Sequence, residues 1–135
     1  MLPEFDEVGN LPAGVHLAII EEVVVRFGVG SPERDVEGHE LIEFVKWARR
    51  AGVRRLIVDG SFVTKKESPN DVDLVILPGP DYPRWQRRTD DEPEVSWPFL
   101  HVLVAADDDD LERWVSEDFG TDRLQRSKGV VEVIL

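Results

Sequence analysis

The chain has 135 residues, the size of one ordinary domain, and its 41% hydrophobic and 33% charged residues are typical of a globular protein. It contains no cysteine, which excludes disulfides and thiol chemistry, and its sequence has no run near the ~18 apolar residues of a membrane span. We therefore expect one cytoplasmic domain, residues 1–135, without membrane contact.

The net charge of −12 constrains the partners. Non-specific nucleic-acid binding needs Lys and Arg side chains against phosphates, so this balance disfavours a long nucleic acid. Basic residues cluster at Arg49, Arg50, Arg54 and Arg55, and we interpret that cluster as decoration of a helix end and the turn after it. A small phosphorylated substrate, or a protein partner with a basic face, suits the charge better.

The N-terminal part of the chain is predicted to hold an arm and two helices. Residues 1–12 carry two prolines and a Gly-Asn pair, which indicates an extended arm. Apolar residues recur at helical spacing over 17–27, and this predicts a short helix. Ser31 as cap and Pro32 as first residue begin a second helix, which continues to about Ala51 and ends at Gly52. His39 lies outside its apolar stripe and is expected on the surface.

Three strands and a third helix are predicted further along the chain. Residues 56–58 and 72–77 are short apolar runs rich in β-branched side chains, and they predict strands over 53–59 and 72–77. Residues 98–105 are apolar on both faces except at His101, which predicts a central strand. Residues 81–88 are compatible with a short helix carrying Trp85, and 89–97 with a mobile excursion.

Four consecutive aspartates, residues 107–110, invite a metal hypothesis. We favour the alternative that they begin a helix, because acidic residues there accept from free backbone N–H groups and complement the helix dipole. A last strand is predicted over 130–135. The order of elements predicts a single α+β domain with an antiparallel or mixed β-sheet and helices packed against it.

The two strands 53–59 and 72–77 enclose the most informative stretch. Gly60 and Ser61 follow the first strand, and Asp59 before them is expected to fix their turn. Asp71 and Asp73 open the second strand, and residues i and i+2 of a strand point the same way. An unpaired carboxylate inside an apolar run is costly, which favours a metal site over a simple turn. The alternative, a turn with Asp73 paired to another side chain, stays open.

This stretch resembles the signature of the nucleotidyltransferase superfamily, a Gly-Ser turn after one strand and an Asp-x-Asp pair at the next. More specifically, the chain is similar to a family of small uncharacterised bacterial nucleotidyltransferase-like proteins. The segments that carry the likeness are residues 11–16, 26–27, 51–53, 59–64, 69–74 and 128–131.

The resemblance implies a nucleotidyltransferase-like fold and a mechanism. Gly60 and Ser61 would bind the phosphates of a nucleoside triphosphate, and Asp71 and Asp73 would hold Mg²⁺. Lys65 or Lys66 could contact the phosphates, although solvated lysines are the more common case. Thr64 is assigned either to phosphate binding or to a hydrogen bond within the loop.

Active members of the superfamily place a third carboxylate on the next strand, and residues 98–105 contain none. His101 is the ionisable residue there, as a catalytic candidate or as a hydrogen-bonded core residue. Glu94 and Asp107 flank the strand as other substitutes.

Two function classes follow. One is a metal-dependent nucleotidyltransferase. The other is a catalytically inactive binding module, such as the antitoxin-like component of a bacterial toxin-antitoxin or defence system, whose acidity would suit a basic partner. A homo-oligomer of unknown role is a third reading.

Overall fold

The computed structural model describes residues 2–82, 97–118, 120–121, 124, 126 and 128–135. Five strands and three helices follow one another in this order: β1 (Val15–Ala18), α1 (Ile20–Phe27), α2 (Pro32–Ala51), β2 (Val53–Asp59), β3 (Val72–Pro78), β4 (Leu100–Val104), α3 (Asp108–Arg113) and β5 (Val130–Val133). A 3-10 turn, Ser61–Val63, follows β2, and α3 continues as a π-helical turn, Trp114–Asp118. The α+β prediction is confirmed.

The strands form one mixed sheet in the order β1-β5-β2-β3-β4. The pairs β1 with β5 and β3 with β4 are parallel, whereas β2 runs antiparallel to both of its neighbours. The antiparallel pair of β2 and β3 carries the predicted Gly-Ser loop at its turn. The loop therefore lies at one end of the sheet, beside the start of β3.

Helix α2 begins and ends at the predicted residues. The hydroxyl of Ser31 accepts from the N–H of Arg34 at 3.1 Å, Pro32 is the first helical residue, and Gly52 adopts φ +80° after the last. Both signals are local, so the sequence alone was sufficient to place them. His39 is exposed on this helix, as predicted, near Asp35.

Two predictions about strands were wrong. Residues 15–18 form β1, and α1 begins only at Ile20, because parallel pairing with β5 outweighs the helical spacing of these few residues. The predicted central strand is instead β4 at the edge of the sheet, with its residues half-buried or exposed. Its apolar composition reflects one covered face and a free edge, which the sequence pattern does not distinguish from a central strand.

The two faces of the sheet bury separate apolar clusters. Helices α1 and α2 and the N-terminal arm cover one face, whose largest buried side chains include Phe27, Phe44 and Leu41. We call this the α1/α2 face. Helix α3 covers the other, the α3 face, where Ile57, Val75, Leu77, Ala105, Leu111 and Val130 form a smaller cluster.

The N-terminal arm packs against its own chain, since Leu2 and Leu11 are buried in the larger cluster. Three tryptophans lie in the described part of the chain. Trp47 and Trp97 pack with Phe44 on the α1/α2 face, and Trp114 packs on the α3 face. The predicted helix over 81–88 with Trp85, and the excursion over 89–97, fall largely outside the described residues. Within the described ranges, no helix is long and apolar enough to span a bilayer.

Candidate functional site

Three polar residues form a row across one end of the sheet. Asp59, the last residue of β2, pairs with Asp73 of β3, and Asp73 pairs with His101 of β4. Directly paired residues of neighbouring strands project from the same face, here the α3 face. The Nδ1 atom of His101 lies 3.2 Å from Oδ1 of Asp73. We call Asp59, Asp73 and His101 the polar row.

Exposure rises along the polar row from the interior to the edge of the sheet. The side chain of Asp59 is 4% exposed, that of Asp73 29% and that of His101 62%. This gradient exists because β4 is an edge strand and α3 covers only the other end of this face. Asp73 and His101 are therefore accessible from solvent, whereas Asp59 is buried.

Asp59 fixes the turn that follows it, as the sequence predicted. Its carboxylate accepts from the backbone N–H of Gly60, and Nζ of Lys128 lies 3.2 Å from its Oδ1. Burial raises the pKa of Asp59 to about 6, and the charge of Lys128 opposes that rise. Lys128 is itself 9% exposed, so the pair is a buried ion pair beneath the Gly-Ser turn.

Gly60 is required at its position for two reasons. Its φ of +80° lies in the left-handed region that favours glycine. A Cβ atom there would also collide with Oδ2 of Asp73. The carboxylate of Asp73 therefore reaches over the turn, with one oxygen toward His101 and the other against Gly60. Ser61 begins the 3-10 turn directly after this contact.

Asp71 lies outside the polar row. It is the exposed residue before β3, and its charge acts on Glu37 of α2. Glu37 is only 1% exposed, and its Oε2 has no hydrogen-bond partner among the described residues. Burial raises the pKa of Glu37 to about 7, Arg34 opposes the rise, and Asp71 and Glu33 add to it. The structure thus places Asp71 beside a second, buried acid that sequence reasoning did not single out.

Arg34 of α2 holds the loop after the Gly-Ser turn. Arg34 is 6% exposed, and its guanidinium donates to backbone oxygens on both sides of the loop. The acceptors are the carbonyls of Phe27, Ser61, Phe62, Thr64 and Lys66. Sequence reasoning missed this residue. An arginine in the first turn of a helix opposes the helix dipole, and that mismatch was the available signal.

Thr64 and Lys65 lie with the arm and α1 rather than with the polar row. The hydroxyl of Thr64 donates to the carbonyl of Ser61 at 2.7 Å, one of the two roles predicted for it, a hydrogen bond within the loop. The N–H of Lys65 donates to the carbonyl of Gly9 in the arm at 2.9 Å. Neither residue contacts Asp73 or His101 in a hydrogen bond or ion pair of the described structure.

The aspartate run caps α3, as expected. Asp107 accepts from the N–H of Asp110 at 2.8 Å, and Asp110 accepts from that of Ala106 at 2.8 Å. Asp108 pairs with Arg54, and Arg55 binds Glu132 and Glu112. Arg54 and Arg55 of the basic cluster therefore form ion pairs with acidic side chains of the same chain. Glu94, the other flanking acid, lies outside the described residues.

The model of a family of unknown function (DUF6932) matches residues 3–134. The chain belongs to this family. No curated protein matches the chain, and no solved structure does. Membership confirms the prediction of a family without an assigned activity, and the nucleotidyltransferase likeness stays a prediction.

The carboxylates near the Gly-Ser turn suit a cation that is also coordinated by substrate phosphates and water. Across the ranges that the structure describes, no three His, Asp or Glu side chains are grouped to hold a metal ion by themselves. Mg²⁺ needs no such cage, because it is commonly held by one or two carboxylates together with substrate phosphates and water. Asp73, half-buried and reachable, is the carboxylate in the best position to contribute.

Proposed function

We propose that this chain binds a nucleoside triphosphate with Mg²⁺ at the Gly-Ser turn and the polar row, and transfers a nucleotidyl group to a hydroxyl acceptor. The observation that carries the proposal is the fit of the Asp73 carboxylate over Gly60, where a side chain of any size would displace it. An acid held against a glycine turn places a cation ligand next to backbone that phosphates can approach.

The residues fit a magnesium ion that is shared with phosphates. Asp73 supplies the carboxylate oxygen at the turn, and phosphate oxygens and water would complete the coordination, whereas Asp71 lies outside the polar row. When bound, Mg²⁺ would neutralise charge on the triphosphate and favour its displacement. Gly60 gives the phosphates access to the backbone, and the hydroxyl of Ser61 donates to them.

His101 is the candidate general base. Its Nδ1 faces Asp73, so the carboxylate orients the ring toward an acceptor at the site. In the transfer, the acceptor oxygen bonds to the α-phosphorus, its proton passes to His101, and pyrophosphate leaves. Asp59 and Lys128 contact none of the reacting atoms and hold the turn in place.

Calorimetric titration with Mg²⁺ and each nucleoside triphosphate tests this proposal. We expect binding in the wild type and a loss of about tenfold or more in Asp73→Asn, because a charge-assisted contact is removed. Asp109→Asn, which removes an exposed acid of α3, is the matched control and should bind as the wild type does. Equal binding by Asp73→Asn and wild type would overturn the proposal.

One observation favours the second function class, a binding module that does not turn over. The strand beside Asp73 offers a histidine where active members of the resembled superfamily carry an acid. Release of pyrophosphate, measured with a panel of hydroxyl acceptors, separates the two classes. Magnesium-dependent binding without any release would favour the inactive module, whose acidic surface would then serve a basic protein partner.

A further inference from the structure

An open cavity lies away from the polar row, between the arm, the end of α1 and the segment after the Gly-Ser loop. Its volume is about 230 Å³, and none of Gly60, Asp71, Asp73 or His101 lines it. Its charged wall contains Arg26, Lys65 and Lys66, and its apolar wall contains Phe5, Phe27 and Val29. We call it the arm cavity.

The walls of the arm cavity are fixed by contacts that do not involve a ligand. The arm turns back on itself at Asp6, which accepts from the N–H groups of Val8 and Asn10. The arm is then tied to the loop by the bond from Lys65 to the carbonyl of Gly9. On the other side, Arg34 holds the carbonyls of Thr64 and Lys66. Preorganised walls reduce the entropy cost of binding.

The charged wall is unusual for this protein. The chain as a whole carries a net charge of −12, yet Glu67 is the one acid among the side chains that line the cavity. The guanidinium of Arg34 is occupied by backbone carbonyls, whereas the side chains of Lys65 and Lys66 are exposed. A basic concavity in an acidic protein is the local field that concentrates an anion.

The apolar wall defines the other half of the ligand. Phe5 is half-buried and Val29 is exposed, so these two side chains present the apolar surface, whereas Phe27 is 1% exposed and packs behind Phe5 with ring centroids 6.0 Å apart. The guanidinium carbon of Arg26 lies 4.6 Å from the Phe5 centroid, and the group donates to the carbonyl of Pro3. A flat apolar group can pack against such a surface while its charged group meets the cations. Inorganic phosphate would use only the charged wall.

We infer that the arm cavity binds a small organic anion, a phosphate or carboxylate group attached to a flat apolar body. The volume of about 230 Å³ is below the range of drug-sized sites and matches a ligand of one ring and one charged group. This site is separate from the proposed nucleotide site and does not depend on it.

Amide NMR titration with phenyl phosphate, inorganic phosphate and phenol tests the inference. We expect phenyl phosphate to bind more tightly than either other probe and to shift the amides of Phe5, Arg26 and Lys65. Lys65→Gln/Lys66→Gln should weaken it about tenfold, since two cationic contacts are lost. Both lysines are exposed, so the variant should fold.

Two matched variants complete the test. Lys46→Gln removes an exposed lysine of α2 elsewhere on the surface, and Asp73→Asn alters only the proposed nucleotide site; both should bind phenyl phosphate as the wild type does. The inference is overturned if phenyl phosphate causes no shifts at the arm, if inorganic phosphate binds equally well, or if Lys46→Gln weakens binding as much as the double variant. Shifts centred on His101 instead of Phe5 would also overturn it.

Discussion

The two faces of the sheet differ in thickness and in what they leave exposed. The α1/α2 face is covered by two helices and the arm and buries the larger apolar cluster, with Phe44 and Leu41 almost fully buried. The α3 face is apolar only under one short helix, and toward the other end its side chains become Asp59, Asp73 and His101. The α1/α2 face buries the larger cluster, and the partial cover of the α3 face leaves polar groups at the surface, where solvent reaches them.

The largest expected effect is a direct test of that difference. Leu41→Ala on the α1/α2 face should lower the free energy of unfolding by about 4–5 kcal/mol, and Leu111→Ala on the α3 face by about 2–3 kcal/mol. Both side chains are 0% exposed, so the contrast reflects how well each cluster can collapse around the cavity. Urea unfolding gives both values. Equal losses would contradict a division of labour between the faces.

Arg34, on helix α2, connects the α1/α2 face to the loop that follows the Gly-Ser turn. Arg34→Met should cost about 3–4 kcal/mol in urea unfolding, because several buried carbonyls lose their donor. Arg49→Met, at an exposed position of the same helix, should change stability by about 0.5 kcal/mol or less. A mild effect of Arg34→Met would mean that the loop keeps its shape without the clamp.

A substitution at Gly60 tests whether its contact with the Asp73 carboxylate matters for stability and binding. Gly60→Ala should cost about 2 kcal/mol and weaken magnesium-nucleotide binding, since the new Cβ displaces the Asp73 carboxylate. Gly14→Ala is the control, because Gly14 has φ +117° and nothing within 4 Å of its Cβ position. It should show the backbone strain without any effect on binding. If both variants bind nucleotide equally, the contact with Asp73 has no functional role.

The smallest expected effect is a pH dependence of the stability that originates at Glu37, on the α1/α2 face. Because the pKa of Glu37 is raised to about 7 in the folded protein, the fold binds this proton more tightly than the unfolded chain does. Stability should therefore fall as pH rises, by about 1 kcal/mol between about pH 6 and pH 8. Asp59, with its pKa raised to about 6, acts in the same direction at lower pH.

Glu37→Gln isolates this contribution. The variant should be more stable than the wild type at about pH 8 and should lose most of the slope above about pH 6. Glu43→Gln, an exposed substitution on the same helix that does not act on Glu37, should keep the slope. Parallel pH profiles for wild type and Glu37→Gln would contradict a raised pKa of this buried acid.

The sequence predicted what local chemistry decides. The cap of Ser31, the glycine after α2, the capping aspartates of α3 and the two strands around the Gly-Ser turn all depend on residues close in the chain. It failed where partners are distant. The parallel pairing of β1 with β5 and the position of β4 at the edge are set by contacts across the whole domain.

The residues of the candidate site also fall into two groups, those that nearby residues predict and those that depend on distant contacts. Gly60 and Asp73 were found from their spacing, and the structure brings them together. The pairing of Asp73 with His101 depends on a neighbouring strand. The positions of Asp71 and Lys65 outside the polar row depend on which helices and strands the loop packs against. Arg34 and Glu37 lie on a helix far along the chain from that loop, so spacing within the loop carried no information about them.

The most direct measurement uses the three histidines of the chain as internal probes, His16, His39 and His101. Proton NMR of their imidazole rings is recorded while a manganese-nucleotide complex, a paramagnetic stand-in for the magnesium form, is added. Our account predicts that the His101 resonances broaden first, and that Asp73→Asn abolishes this broadening. Resonances of His101 that broaden no more than those of exposed His39 would contradict a cation-nucleotide site at the polar row.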